Sequence, residues 1–231
     1  LIRAVGYVKK AAVMANAELG QLDKKLAEAI KQAAEEVIAG KFNDQFIVDP
    51  IQGGAGTSFN MNANEVIANR ALEILGEEKG NYQLVSPNSH VNMAQSTNDV
   101  FPTAVNIALI DRLHGLAEKL ADLVEAFKSK SQEFDHVIKM GRTHLQDAVP
   151  IRLGQEFIGY YSVMQRDLER ISSSMKGLRS VNMGGTSVGT GLNALPEYTE
   201  KVVEYLTDLT GFEIKSSESL IDATQNTDVY T

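Results

Sequence analysis

Three stretches of the 231-residue sequence concentrate hydroxyl and amide side chains that core packing does not account for. The first carries Gly53, Gly54, Gly56, Thr57, Ser58, Asn60 and Asn62. The second carries Asn92, Gln95, Ser96, Thr97, Asn98 and Asp99, and the third Gly141, Arg142, Thr143, His144, Gln146 and Asp147. Each sets short hydrogen-bond donors beside glycines or a helix end, where backbone N–H groups are free. Donors of that kind bind carboxylates without any need for net positive charge. His144 is the one histidine flanked by both a hydroxyl and an arginine, and the Arg142 guanidinium has the fork that clamps a carboxylate. Asp99 and Asp147 offer a pair of carboxylates for acid–base work.

Each of these residues also has a structural reading. One of Ser96, Thr97, Asn98 and Asp99 can simply cap the helix that Pro102 introduces. Residues 53–57 can be only a turn, Arg142 can sit in a salt bridge, and Asp99 and Asp147 can cap or pair with cations. A lone histidine such as His144 is more often structural than catalytic. His90, His114 and His136 take the structural reading outright. No two histidines stand at metal-ligand spacing with a carboxylate, so neither metal nor cofactor is expected. Residues 184–191 lack the Gly-Lys-Ser/Thr ending of a phosphate loop and read as a structural glycine turn.

The elements that must position these stretches are helical. Residues 8–38 are rich in Ala, Leu, Glu, Lys and Gln, with Gly20 as a break point and Gly40 as a stop. A second helix is expected from about Met61 to Leu75, ending at Gly76. A short one is expected to begin at Asn88 or Ser89. Pro102 suits the first position of a long helix that runs to about Phe134. Its Leu109, Leu113, Leu116, Leu120, Leu123 and Phe127 step by fours and threes, a coiled-coil-like seam for packing against other long helices. Such a rod approaches about 50 Å, the length met in bundles. Residues 146–178 read as a further long helix with an awkward start at Pro150, and Pro196 opens a last one that Gly211 closes. Apolar–polar alternation is nearly absent, so sheet is expected to be minor.

Composition narrows the function. A net charge of −8 argues against nucleic acid or an anionic membrane as the main partner. The longest strongly apolar run, residues 104–110, is far too short to span a bilayer. The absence of cysteine removes disulfides and thiolate chemistry and suits a reducing compartment, so a cytoplasmic address is expected. The sequence opens at Leu1 rather than methionine, and a true N-terminus is expected ahead of it.

Taken together, the three stretches resemble the aspartase/fumarase superfamily, and the resemblance runs over essentially the whole sequence. Residues 54–70 (Gly-Ala-Gly-Thr-Ser-Phe-Asn-Met-Asn, then Ala-Asn-Glu-Val-Ile-Ala-Asn-Arg) look like that family's first substrate loop and its helix. Gln95-Ser96-Thr97-Asn98-Asp99 resembles the second loop. Gly141-Arg142-Thr143-His144-Leu145-Gln146-Asp147-Ala148 resembles the third, and this ordered set overturns the structural reading of His144. The resemblance implies an all-α, long-helix bundle with an N-terminal helical domain, divided here as residues 1–98 and 99–231. It also implies a homotetramer whose active sites are shared between subunits and whose product is fumarate. Thr97 in place of a second serine, Lys79-Gly80-Asn81-Tyr82-Gln83 and Thr224-Gln225-Asn226-Thr227-Asp228 resemble the aspartase branch. The third stretch and residues 185–191 are shared in form with fumarases.

For the aspartase branch the implied reaction is reversible deamination of L-aspartate to fumarate and ammonia through an aci-carboxylate intermediate. The resemblance assigns Thr57, Ser96 and Thr97 to the β-carboxylate and the charge that grows on it. Asn98 and His144, helped by Thr57, would surround the leaving amino group, and Thr143 would meet the α-carboxylate. His144 is expected to bind and orient rather than donate a proton, so His144, Thr143 and Ser96 are the residues expected to matter most for rate. None of these is a good base, and none is a lysine. The family draws both from a Gly-Ser-Ser-rich loop that this sequence lacks, so it is expected to stop short of that loop and to be inactive alone. The competing readings are a fumarase, hydrating fumarate to malate, and a non-catalytic helical scaffold.

Overall fold

A computed structural model of the chain describes residues 1–49 and 55–231. Pro50 and the Gly53-Gly54 part of the first loop lie outside the described residues. The architecture is the expected one, predominantly α-helical with minor strand content. Two compact units are present: residues 1–109 together with 178–231, and residues 110–177.

The first unit is built on α1 (Ile2–Glu18), α2 (Lys24–Ile38) and α3 (Thr57–Leu75). The chain between α1 and α2 breaks where Gly20 takes a left-handed φ of 71°, and Asp23 caps α2 by accepting from the N–H groups of Lys25 and Leu26. Alanines make these helices pack closely: Ala29, Ala33, Ala34, Ala68 and Ala71 are buried with Ile30, Val37, Ile67 and Leu72. A side chain at Gly6 would lie 2.8 Å from Ile38 Cγ1, so α1 meets the end of α2 at a contact only glycine permits. α3 starts four residues earlier than its apolar pattern suggests, because Gly56 adopts φ 87° and turns the chain into the helix before the first large apolar residue. It ends as expected at Gly76, also left-handed.

Between α3 and the long helix, the short helix expected near Asn88 or Ser89 is present as a single π-helical turn, Pro87–Val91, capped by Ser86. α4 (Thr97–Glu133) is the longest element. It begins before Pro102, which is interior to the helix rather than at its first position. After residue 178 the first unit continues through β3 (Ser180–Val181), α6 (Pro196–Thr210), β4 (Lys215–Ser216) and α7 (Leu220–Gln225), with β3 and β4 paired in parallel. Pro196 opens α6 and left-handed Gly211 closes it, as the sequence indicates.

In the second unit the sequence-based helix over 146–178 is corrected. Its first part is strand: β1 (Ile138–Thr143) and β2 (Gln146–Arg152) make an antiparallel hairpin, and only then does α5 (Leu153–Leu178) begin. The two-residue turn is His144-Leu145, both at positive φ (49° and 60°), the backbone of a type I′ hairpin turn. Pro150 pairs with Met140 in a ribbon of two edge strands, where a missing N–H is tolerated. A side chain at Gly141 would fall 2.8 Å from the Val149 carbonyl, so the ribbon's bulge also requires glycine. An aromatic group of Phe127, Phe134, Phe157 and Tyr160, with ring centres 5.4–6.1 Å apart, joins the end of α4 to the start of α5. Leu116 and Leu123 of the seam are substantially exposed, as are Ile158 and Tyr160 on α5. Among the described residues no helix is long and apolar enough to cross a membrane.

Candidate functional site

The start of α4 is where sequence chemistry and local geometry meet. Ser96 is its N-cap, and Asp99 stands at the third helical position. The Ser96 hydroxyl accepts from Asn98 N at 3.2 Å, while Asp99 Oδ1 accepts from Ser96 N at 2.9 Å. That reciprocal pair is a capping box, worth about 1 kcal/mol to the helix. A hydroxyl that accepts a backbone N–H keeps its own O–H to donate. The cap therefore holds Ser96 in place without consuming the donor a carboxylate would need.

Pro102 shapes the same turn. Lacking an N–H, it leaves the Asn98 carbonyl without its intrahelical partner. The side-chain amide of Asn182 supplies the bond at 2.9 Å and donates also to Thr224 Oγ1. The Asn98 side chain donates to the Ser187 carbonyl at 2.7 Å, which fixes its amide so that the carbonyl oxygen remains to accept from another donor. Thr97 Oγ1 accepts from Asn60 Nδ2 at 3.1 Å, and Asn60 lies one turn after Thr57 in α3. The starts of α3 and α4 thus meet directly, and the approach is tight: a side chain on Gly56 would be 2.4 Å from the ring of Phe101. Phe101 in turn packs edge-on to Phe59, with ring centres 6.0 Å apart. Ser96 and Thr97 are half-buried, while Asn98 and Thr57 are exposed.

Beneath this surface lies a buried polar layer that sequence reasoning missed. Asp99 is fully buried, and Asp147, in the second unit, takes the ion-pair reading by bridging Arg142 at 3.1 Å. Asp99 Oδ2 accepts from Gly184 N at 3.2 Å and Thr186 N at 2.9 Å. The glycine turn of residues 184–191 is therefore structural, as expected, and its specific task is to donate backbone N–H groups to this carboxylate. Burial pushes the Asp99 carboxyl up, opposed by those N–H bonds and by the charge of Lys9. Lys9 itself is fully buried, and burial pushes it down to about 7 against the pull of Asp99. Its Nζ donates to Asn92 Oδ1 at 2.8 Å and Gln95 Oε1 at 2.9 Å. The signal was in the sequence: Val5, Val8, Ala12 and Val13, its helical neighbours, are all apolar and all buried.

Thr143 and His144 lie in the second unit, on the hairpin, and are exposed. His144 is at the first position of the turn and Thr143 pairs with Gln146. Arg142 takes its salt-bridge role with Asp147 across the ribbon. His90 is structural, its Nδ1 accepting from Ser86 N at 2.9 Å.

What this arrangement can do is bind carboxylates through hydroxyl donors at a helix start, with an amide carbonyl beside them. Known proteins resemble the chain over its whole length. The lyase family model matches residues 1–231. The chain is 62% identical over 231 residues to an aspartate ammonia-lyase from Bacillus sp, covering 100% of this chain and 49% of that protein. It is 50% identical over 223 residues to a class II fumarate hydratase from Halobacterium salinarum, covering 96% of this chain and 47% of that one. Among solved structures, a fumarate lyase:delta crystallin from Brucella melitensis bound to cobalt superposes with a TM-score of 0.96 at 48% identity, over 99% of this chain and 50% of that one. The chain spans about half the length of the curated relatives it matches. Sequence, fold and the layout of the hydroxyl-bearing helix starts thus converge: this chain belongs to the lyase family of the aspartase/fumarase superfamily and is closely related to aspartate ammonia-lyases.

Proposed function

We propose that the whole protein is an aspartate ammonia-lyase, releasing fumarate and ammonia from L-aspartate. The observation that carries this reading is the start of α4, where Ser96 and Thr97 keep O–H donors while their acceptor sides are held by Asn98 N and Asn60. The C3 proton of aspartate leaves to a base, and its bonding pair moves into the β-carboxylate to give the aci form. Collapse of that dianion forms the C2–C3 double bond and expels the amino group with the C2–N pair. Ser96, Thr97 and Thr57 stabilise the growing charge on the β-carboxylate, the largest electrostatic demand of the reaction. Asn98, through its carbonyl oxygen, and His144 surround the amino group, and Thr143 meets the α-carboxylate. His144 binds and orients, since a departing ammonia already carries the protons it needs. The base and a cation for the second carboxylate come from outside these residues.

The same reading takes the protein to be a homotetramer with shared active sites. The exposed Leu116 and Leu123 of the α4 seam, with Ile158 and Tyr160 on α5, supply apolar surface for packing against other copies. The division at residues 98/99 is then a boundary of the assembled enzyme's domains rather than of the compact units. A cytoplasmic address belongs to the same reading, and a chain without cysteine suits such a reducing compartment. Identity of 50% to a fumarate hydratase favours a second reading, water addition to fumarate on the same scaffold.

An ultraviolet assay for fumarate separates the readings. L-aspartate and L-malate are supplied in turn to this chain and to a chain extended beyond Thr231. Fumarate from aspartate in the extended chain alone is expected. Fumarate from malate alone makes the protein a fumarase, and silence on both from an assembled extended chain leaves a helical scaffold.

A further inference from the structure

The buried polar layer under α4 has a feature that helix capping alone does not require. Lys9 reaches from α1 to the chain on both sides of Ala94, bonding Asn92 before it and Gln95 after it. Ala94 is held at φ 59°, a left-handed conformation that an alanine rarely adopts and that costs on the order of 1 kcal/mol. Neither amide is free to flip. Gln95 Nε2 donates to the carbonyls of Val91 and Met93, and Asn92 Nδ2 donates to the carbonyl of Gln95, so both side-chain oxygens are directed at Lys9. Asn92 Oδ1 also accepts from Asn60, which reaches Thr97 with the same amide nitrogen. The charge of Asp99 acts on Lys9, and Asp99 Oδ1 fixes the backbone of Ser96 while its Oδ2 takes the N–H groups of Gly184 and Thr186. Tyr198 of α6, fully buried, also responds to Asp99, and its phenol is raised by burial and by that carboxylate. No other charged side chain acts appreciably on Lys9 among the described residues.

We propose that Lys9 is a positioning residue for the proposed lyase site: by gripping Asn92 and Gln95 it locks the strained Ala94 turn and thereby aims the Ser96 and Thr97 hydroxyls. The inference rests on the functional reading above and deepens it. A merely structural lysine would be a costly choice here, because a buried charge is often replaced by an apolar isostere with no loss of stability. The grip on two amides matters if the position of the following hydroxyls matters to within a fraction of an ångström, as donors to a developing charge require.

The test is made in the full-length enzyme with Lys9→Met and, separately, Gln95→Met. Both replacements are close in volume, and Gln95→Met leaves the lysine in place, so it serves if Lys9→Met fails to fold. Assembly is checked by size-exclusion chromatography and melting by circular dichroism. The expected result is a fall in kcat on L-aspartate of about 10- to 100-fold per assembled enzyme, with a smaller change in KM and melting little altered. Assembled variants that retain wild-type kcat and KM overturn the inference and leave the lyase reading standing. A wild-type enzyme that makes no fumarate from aspartate or malate overturns the lyase reading, and this inference with it.

Discussion

At the scale of single residues, Ser96 serves two ends without conflict. Its lone pair caps α4 and its O–H remains available, so its removal should separate stability from rate. Ser96→Ala is expected to lower kcat of the complete enzyme by about 100-fold or more, the usual cost of one donor to a developing oxyanion, while costing only about 1 kcal/mol of stability. Steady-state kinetics beside a thermal melt check both halves; loss of the cap without loss of rate would reduce Ser96 to a helix cap. The capping role was open in the sequence, since serine three residues before aspartate is a start signal. The burial of Asp99 was not, since Asn98 beside it is exposed; that of Lys9 was signalled only by the apolar residues around it on α1, and the packing of α1 on the loop before α4 places both side chains inside. His144 was legible as a site candidate by its neighbours, but its place in a hairpin turn was not.

Element starts and stops show why. α6 and the end of α3 were legible because proline and glycine mark them. The hairpin was hidden because His144-Leu145 carries neither glycine nor asparagine, and because Pro150 suggested a helix start where the chain is strand. α4 begins before Pro102 because the Ser96–Asp99 box satisfies N–H groups at the helix start and the Asn182 amide satisfies the Asn98 carbonyl that the proline leaves open. Gly56 is the corresponding device for α3. Gly56→Ala is expected to destabilise the protein by about 2 kcal/mol or more, from left-handed strain and contact with the Phe101 ring, and to lower activity by displacing Thr57. Chemical denaturation measures the first effect, and an unchanged midpoint would contradict it. Between α2 and α3, Arg70 binds Glu36 through two bonds, Nε–Oε2 at 2.6 Å and Nη2–Oε1 at 3.2 Å. The guanidinium holds the Glu36 carboxyl below its ordinary value of 4.5, with Lys41 adding to the effect. A depressed folded-state carboxyl stabilises above its unfolded value and loses that contribution as pH falls through the folded one. Arg70→Met should therefore cost about 1 kcal/mol at neutral pH and progressively less below pH about 4, seen as converging melting curves in acid. Curves that stay parallel down to low pH would show that the pair contributes nothing.

For the whole molecule, the helical class and family layout were readable because three ordered polar stretches and a leucine seam occupy long, well-punctuated helices. The partition into compact units was not, because it depends on residues 178–231 returning to residues 1–109 rather than on any local signal. The first unit holds Thr57, Ser96, Thr97 and Asn98, and the second holds Thr143 and His144. The proposed function requires both sets, and the homotetramer proposed above takes them from different copies of the chain. Mixing two inactive full-length variants tests that claim most directly. Ser96→Ala and His144→Ala enzymes are each prepared, then dissociated and reassembled together, with subunit exchange confirmed by native mass spectrometry. Fumarate production from L-aspartate should reappear in the mixed tetramers, because some sites then receive an intact Ser96 from one copy and an intact His144 from another. Mixed tetramers as inactive as their parents would contradict a shared site, and parents that are fully active alone would contradict the site itself.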